Sequence, residues 1–188
     1  GSSVRTVDEC LALAQQDITA QTSMLEMRHI GGSTEHFAQL LAQLPSTFHP
    51  QEFFLAKHLE LRQRHTKFEN APYALEPNCK ESPGGLRDLH TILWVAKAAN
   101  LGHDWHELAQ HGILTNLEAQ QLERNETTLF QIRARLHGVA GRHEDRLLFD
   151  LQTAVALSLG LKNHTPPGQN SPAPAGEVLM RRYYSAAK

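Results

Sequence analysis

Apolar residues recur along most of this chain at the three- and four-residue spacing of a helix face, and nowhere with the strict alternation of a half-buried strand. Thr6-Val7-Asp8-Glu9 forms a capping box, a hydroxyl with a carboxylate three residues on, and opens an apolar stretch through Leu13. Asp17 can cap a second helix through Ile18, Met24 and Leu25, which the spacing predicts to run on to a stop at Gly31-Gly32. Ser33 begins a third through Phe37, Leu40, Leu41 and Leu44, ended by Pro45. Pro50 sits where a first-turn proline belongs, ahead of a helix to about Lys67. Helix resumes at Leu86 with Leu89, Leu93, Val95 and Ala96 and breaks at Gly102. Asp104-Trp105-His106-Glu107 and Thr115-Asn116-Leu117-Glu118 repeat the capping-box pattern. The second opens the longest periodic run, Leu129, Ile132, Leu136 and Val139, about 39 Å if unbroken from Thr115 to Ala140. Gly141 permits a turn, and Leu148, Leu151, Val155 and Leu159 define a further helix.

Two stretches interrupt this pattern. Pro72, Pro77, Pro83 and Gly84-Gly85 forbid regular helix over residues 70–85, a long loop of the kind that in a compact domain is functional or disordered. Residues 161–176 carry Pro166-Pro167, Pro172 and Pro174 with little apolar content and read as a flexible linker. A short helix from Glu177 to Lys188 follows. With no Asn-Gly hairpin and no repeat of 20–50 residues, the fold expected is all-α: a multi-helix bundle with a long Pro/Gly loop and a short terminal helix after a Pro-rich linker. The expected division is a helical domain over 1–160, a linker over 161–176 and the start of a further helix over 177–188.

Composition removes several function classes. The 18 basic and 20 acidic residues leave a formal charge of −2, which offers no global attraction to nucleic acid. No apolar run is long enough to span a bilayer, and the N-terminus resembles no signal or transit peptide. Cys10 and Cys79 form no pair motif and read as free thiols in a reducing cytoplasm. Gly1-Ser2 suggests a cloning scar on a segment cut from something longer.

Four features carry candidate chemistry. Gly31-Gly32-Ser33 before a helix suits a triphosphate, but the six aspartates, Asp8, Asp17, Asp88, Asp104, Asp145 and Asp150, include no Asp-x-Asp to hold magnesium, so a plain cap is the better reading. His103-Asp104 is the dipeptide of HD phosphohydrolases, and His58 and His65 share a helical face, yet Asp104 stands where a helix cap belongs. No H-E-x-x-H, C-x-x-C, G-x-S-x-G or Walker loop is present. In the 75–88 loop, Lys80, a proline-braced Gly-Gly turn and Arg87 converge on a helix start. Free amides at Gly85 and Leu86, with both cations, would suit a phosphate or carboxylate. A merely tight turn, with Arg87 paired to a carboxylate, is the stronger reading on spacing alone. Finally, Arg133, Arg135, Arg142 and Arg146 lie near Glu144, Asp145 and Asp150, which favours ion pairs tying two helices over an anion or partner site.

The run Leu75-Glu76-Pro77-Asn78-Cys79-Lys80-Glu81-Ser82-Pro83-Gly84-Gly85-Leu86-Arg87-Asp88, continued by His90-Thr91-Ile92-Leu93-Trp94-Val95-Ala96, resembles the central signature of the bacterial PII uridylyltransferase/uridylyl-removing enzymes. Residues 3–10, Gly112-Ile113-Leu114-Thr115, the run from Gly141 to Asp150 and Arg182-Tyr183-Tyr184 agree with it in order. Glutamine-synthetase adenylyltransferase has a similar Pro-Gly-Gly-x-Arg turn, but Arg146-Leu147-Leu148-Phe149-Asp150 favours the uridylyl family.

The resemblance implies a large multidomain enzyme, of which this chain matches only the helical domain after the nucleotidyltransferase. The metal-binding aspartates would then precede residue 1 and the HD hydrolase histidines would follow residue 188, leaving this segment without a catalytic site of its own. For the parent enzyme it implies UMP transfer from UTP to the PII signalling protein in nitrogen regulation, hydrolytic removal of that UMP, and magnesium as cofactor, with none expected on this segment alone. Lys80, Ser82, Gly84, Gly85, Arg87 and Asp88 are the substrate- or nucleotide-binding candidates. The alternatives are a PII docking module whose loop is purely structural, and the equivalent domain of the adenylyltransferase.

Overall fold

Capping chemistry sets most of the helix boundaries in the computed structural model, which describes residues 3–68, 74–164 and 172–187. Thr6 starts α1 (Val7–Gln16) with a complete capping box: Glu9 N–H donates to Thr6 Oγ1 at 3.2 Å and Thr6 N–H to Glu9 Oε2 at 2.7 Å. Asp17 closes α1 and caps α2 (Ile18–Met24). That helix ends well before Gly31-Gly32. Turns at Leu25 and Met27 close it, and Ile30, which would have extended its apolar stripe, is exposed. Ser33 caps α3 (Thr34–Gln43), and a 3-10 turn (Leu44–Thr47) leads to α4 (Pro50–Lys67), with its proline in the first turn as expected.

Beyond the loop come α5 (Leu86–Ala98), α6 (Trp105–Gln110) and α7 (Asn116–Ala140). Asp104 caps α6, but the return half of its predicted box falls one residue earlier, since Glu107 Oε2 accepts from His103 N–H at 2.8 Å. Thr115 and Glu118 complete the box of α7, and Gly141 ends that helix in the left-handed region at φ 65°. The last helices are α8 (Phe149–Ser158) and α9 (Ala175–Ala186). Among the described residues the only β pairings are two isolated bridges, Asn78 with Arg146 and His164 with Ala173. The all-α expectation holds.

The buried side chains form two clusters. The larger gathers Leu129, Ile132 and Leu136 of α7 with Leu86 and Leu89 of α5, Val155 of α8, and Leu179 and Tyr183 of α9. The smaller joins Ala14, Met24, Leu44, Phe48 and Phe53 to Trp94 and Ala98. Helix α5 feeds both, through Leu86, Leu89 and Ala96 on one face and Trp94 and Ala98 on another, and therefore sets where the loop before it must end. The terminal helix α9 packs on α7 and α8 as part of the larger core. Of the stretch read as a linker, residues 165–171 lie outside the described residues. Its two ends are tied, His164 to Ala173 by paired backbone bonds and Ala175 N–H to Asn163 Oδ1 at 3.0 Å.

Candidate functional site in the loop before helix α5

The loop is anchored at its start by the 146–152 region. Buried Gln152 donates from Nε2 to the carbonyls of Leu75, at 2.9 Å, and Leu147, at 3.0 Å. Glu76 supplies the cap that α8 lacks locally, its Oε1 accepting from Phe149 N–H at 2.9 Å. Cys79 N–H donates to Asp145 O at 2.7 Å and Leu147 N–H to Pro77 O at 2.9 Å, which makes the short antiparallel bridge. Asn78 then folds the chain over: its Oδ1 accepts from the amides of Lys80 (3.0 Å) and Glu81 (2.8 Å), the Asx turn for which asparagine is suited. Ser82, buried, returns the contact by accepting Asn78 N–H at 2.9 Å.

The amides of Gly85 and Leu86 are not free. Gly85 N–H donates to Ser82 O at 2.8 Å, Leu86 N–H to Cys79 O at 3.1 Å and Arg87 N–H to Lys80 O at 2.8 Å. These amides close a tight turn, the stronger reading on spacing, and form no backbone cradle for an anion, because a loop this tightly wound offers its own carbonyls to the first helical amides. Asp88 completes the closure. It accepts Gly84 N–H at 2.8 Å, Arg64 Nη2 at 2.6 Å and His65 Nε2 at 2.8 Å, clamping the turn to the last turn of α4. His65 therefore has a hydrogen-bond partner in Asp88, while His58, considered with it for a metal, stacks on Phe54.

What remains facing outward is a set of side chains. A cleft of about 740 Å³ lies between α2, α4, α5 and the loop, and its lining includes Lys57, Arg64, Glu81, Arg87 and Trp94. The Arg87 guanidinium rests 5.2 Å from the Trp94 ring centre, and Lys57 Nζ lies 5.5 Å from the same ring. The Arg87 contact, at a partly exposed side chain, contributes roughly 0.5–1 kcal/mol. Trp94 is fixed in turn by donating to Glu26 Oε1 at 3.0 Å. Lys57, buried to 3% exposure, pairs with Glu60 at 2.8 Å. Of the six residues singled out from sequence, Arg87 lines the cleft and Lys80 reaches its edge through Glu81, at 3.5 Å. Ser82, Gly84, Gly85 and Asp88 lie inside the bonding of the loop. Sequence reasoning missed Arg64, Glu81, Trp94 and Lys57; position in the last turn before a signature loop is the one signal that could have marked Arg64.

In the basic set around the α7–α8 turn, Arg133, Arg142 and Arg146 make internal pairs, which run to the turn and to the 75–88 loop rather than from helix to helix, and Arg135 is exposed. Arg133 Nε reaches Asp145 Oδ1 at 2.6 Å and His137 Nε2 reaches the same atom at 3.0 Å, while Arg142 pairs with Glu144 at 2.7 Å and Arg146 with Glu76 at 3.7 Å. Burial raises the Asp145 pKa, but the hydrogen bonds from Arg133 and His137 and the Arg133 charge outweigh it and hold the carboxyl below its ordinary value. Cys79 beside it is fully buried, and desolvation, reinforced by the Asp145 charge, pushes its thiol up to about 12. Gly31-Gly32-Ser33 and His103-Asp104 likewise resolve into caps, of α3 and α6. The described residues include no group of three or more His, Cys, Asp or Glu placed to hold a metal ion, and no helix long and apolar enough to cross a membrane.

Comparison with known proteins matches residues 52–188 to the family described as GlnD PII-uridylyltransferase. The chain is 57% identical over 188 residues to a bifunctional uridylyltransferase/uridylyl-removing enzyme of Cupriavidus pinatubonensis, and 55% identical over 188 residues to the enzyme of that name from Burkholderia thailandensis. Each match covers 100% of this chain and 21% of the relative, so the chain spans about a fifth of the length of these relatives. No solved structure matches.

Proposed function

Because the chain belongs to the GlnD PII-uridylyltransferase family, we propose that it is a helical domain of a bifunctional uridylyltransferase/uridylyl-removing enzyme and that its 76–88 loop supports the nucleotide site. The parent activity is UMP transfer from UTP to the PII signalling protein and removal of that UMP, in the cytoplasm, as part of nitrogen regulation. The observation that carries the reading is Arg87: a guanidinium fixed against Trp94 at the mouth of a cleft, on a loop braced at both ends. Preorganised positive charge of this kind stabilises phosphoryl groups without reorganising when the ligand arrives.

The donor set here does not fit a divalent ion. The chain has no Asp-x-Asp, and its loop carboxylates, Glu76, Glu81 and Asp88, each have a cation within ion-pair distance. Magnesium therefore belongs to carboxylates elsewhere in the parent enzyme, and this domain contributes charge and shape. Calorimetric titration with magnesium-UTP tests the proposal: heat that disappears in Arg87→Ala supports it, and heat unchanged by that substitution refutes it.

The second reading is a docking module for PII. It draws on the outer face of α4, where Phe54, Leu55 and Leu59 are 49%, 64% and 57% exposed. It predicts PII binding without nucleotide, lost in Leu55→Ser with Leu59→Ser and retained in Arg87→Ala.

A further inference from the structure

Glu81 stands among three cations and pairs closely with none of them. Its Oε1 lies 3.5 Å from Lys80 Nζ and 3.5 Å from Arg87 Nη2, and its Oε2 lies 3.9 Å from Arg64 Nε. Charge-assisted bonds of this type close to about 2.7–2.9 Å when geometry allows. Arg64 makes such a bond elsewhere, to Asp88 at 2.6 Å. Its Nε is buried with no hydrogen-bond partner, a state that is costly for a charged donor. One carboxylate with two oxygens is thus shared among three cations, and its one hydrogen bond to them, from Arg87 Nη2 at 3.5 Å, is long.

We infer that Arg64, Lys80 and Arg87 form a binding site for a phosphoryl group, and that Glu81 is the internal carboxylate which a phosphoryl group displaces. A terminal phosphoryl group brings three acceptor oxygens and up to two negative charges where the carboxylate brings two oxygens and one charge. It can therefore reach all three donors at once. Two of the cations are positioned without Glu81: Arg64 by Asp88, which also holds the Gly84 amide, and Arg87 by the Trp94 ring. Arg64, Glu81 and Arg87 all line the cleft, and the Thr19, Thr22 and Ser23 side of that cleft leaves room for the rest of a nucleotide. Glu81 then acts as a threshold, screening the site against weak anions until a polyphosphate outcompetes it. The inference rests on the loop being part of the nucleotide site and adds Arg64 as a ligand and Glu81 as a competitor.

The test is calorimetric titration of inorganic pyrophosphate into this chain at low ionic strength, for the parent, Glu81→Gln, Glu81→Ala and Glu81→Gln with Arg87→Ala. Both Glu81 variants are expected to bind about two- to fivefold tighter than the parent, as loss of one competing, partly exposed charge pair allows, and the Arg87→Ala change should abolish that gain. Urea midpoints of the variants establish that each is folded; two independent Glu81 changes guard against one failing. Equal, measurable affinity in the parent and the Glu81 variants overturns the competitor role alone. A gain that survives loss of Arg87 places the anion elsewhere and overturns the site. No binding in any of the proteins overturns both the site and the nucleotide reading on which it rests.

Discussion

A side chain on Gly84 would run into the backbone carbonyl of Ala187, at the end of α9. Gly84 also sits at φ +76°, where non-glycine residues are strained. The Pro-Gly-Gly turn therefore does two things: it delivers the chain into α5, and it provides the flat seat on which the last helix ends. Gly84→Ala is expected to cost about 2–4 kcal/mol, from positive-φ strain plus displacement of α9. Gly141→Ala, at φ +65° with open space around it, should cost only about 1–2 kcal/mol. Urea denaturation of the two variants checks the difference, and equal losses would mean that the α9 contact adds nothing.

Asp145 sits at a junction, holding Arg133 and His137 through its carboxylate and Cys79 through its carbonyl. Its pKa is lower in the folded chain than its ordinary value of about 3.8. Its stabilising contribution is therefore complete above that ordinary value and is lost as pH falls through the lower folded-state value. Asp145→Asn should cost about 1–3 kcal/mol at pH 7, since two charge-assisted bonds are weakened at a partly exposed site. The gap between parent and variant urea midpoints should narrow below pH 4. A gap that stays constant down to pH 3 would refute the assignment.

Cys79 has no exposed surface and a thiol pushed up to about 12, by burial first and the Asp145 charge second. The thiolate is the reactive form, so a thiol-specific chromogenic reagent at pH 8 should titrate about one group per native chain, Cys10, which is only partly buried, and both in denaturant. Rapid native labelling of both cysteines would contradict the packing described here.

The helices were legible wherever capping is local. Thr6, Ser33, Pro50, Thr115 and Gly141 each mark a boundary that the structure keeps. The end of α2 was not, because Leu25, Met27 and Ile30 continue an apolar rhythm while the backbone has already turned away. The loop is recognisable as special and as a tight turn, but which carbonyls take its amides, those of Cys79, Lys80 and Ser82, follows from a winding that spacing does not encode. Arg87 was found by its motif. Its partner Trp94 lies two turns further along the same helix, a spacing of seven that the periodicity of α5 does carry. The Arg64–Asp88 clamp has no such local signal, because it depends on how α4 and α5 cross. The Ala187 contact lies still further from any local signal.

Placement of Arg87 at the nucleotide site is the central claim, and it is tested most directly in a full-length enzyme that contains this domain. Steady-state uridylyl transfer from UTP to PII is measured for the parent and for Arg87→Ala, with folding checked by the urea midpoint. The account predicts kcat/KM for UTP reduced by about 10- to 1000-fold, the scale of losing a preorganised cation at a phosphoryl group. Transfer by Arg87→Ala at the parental kcat and parental KM for UTP would contradict it.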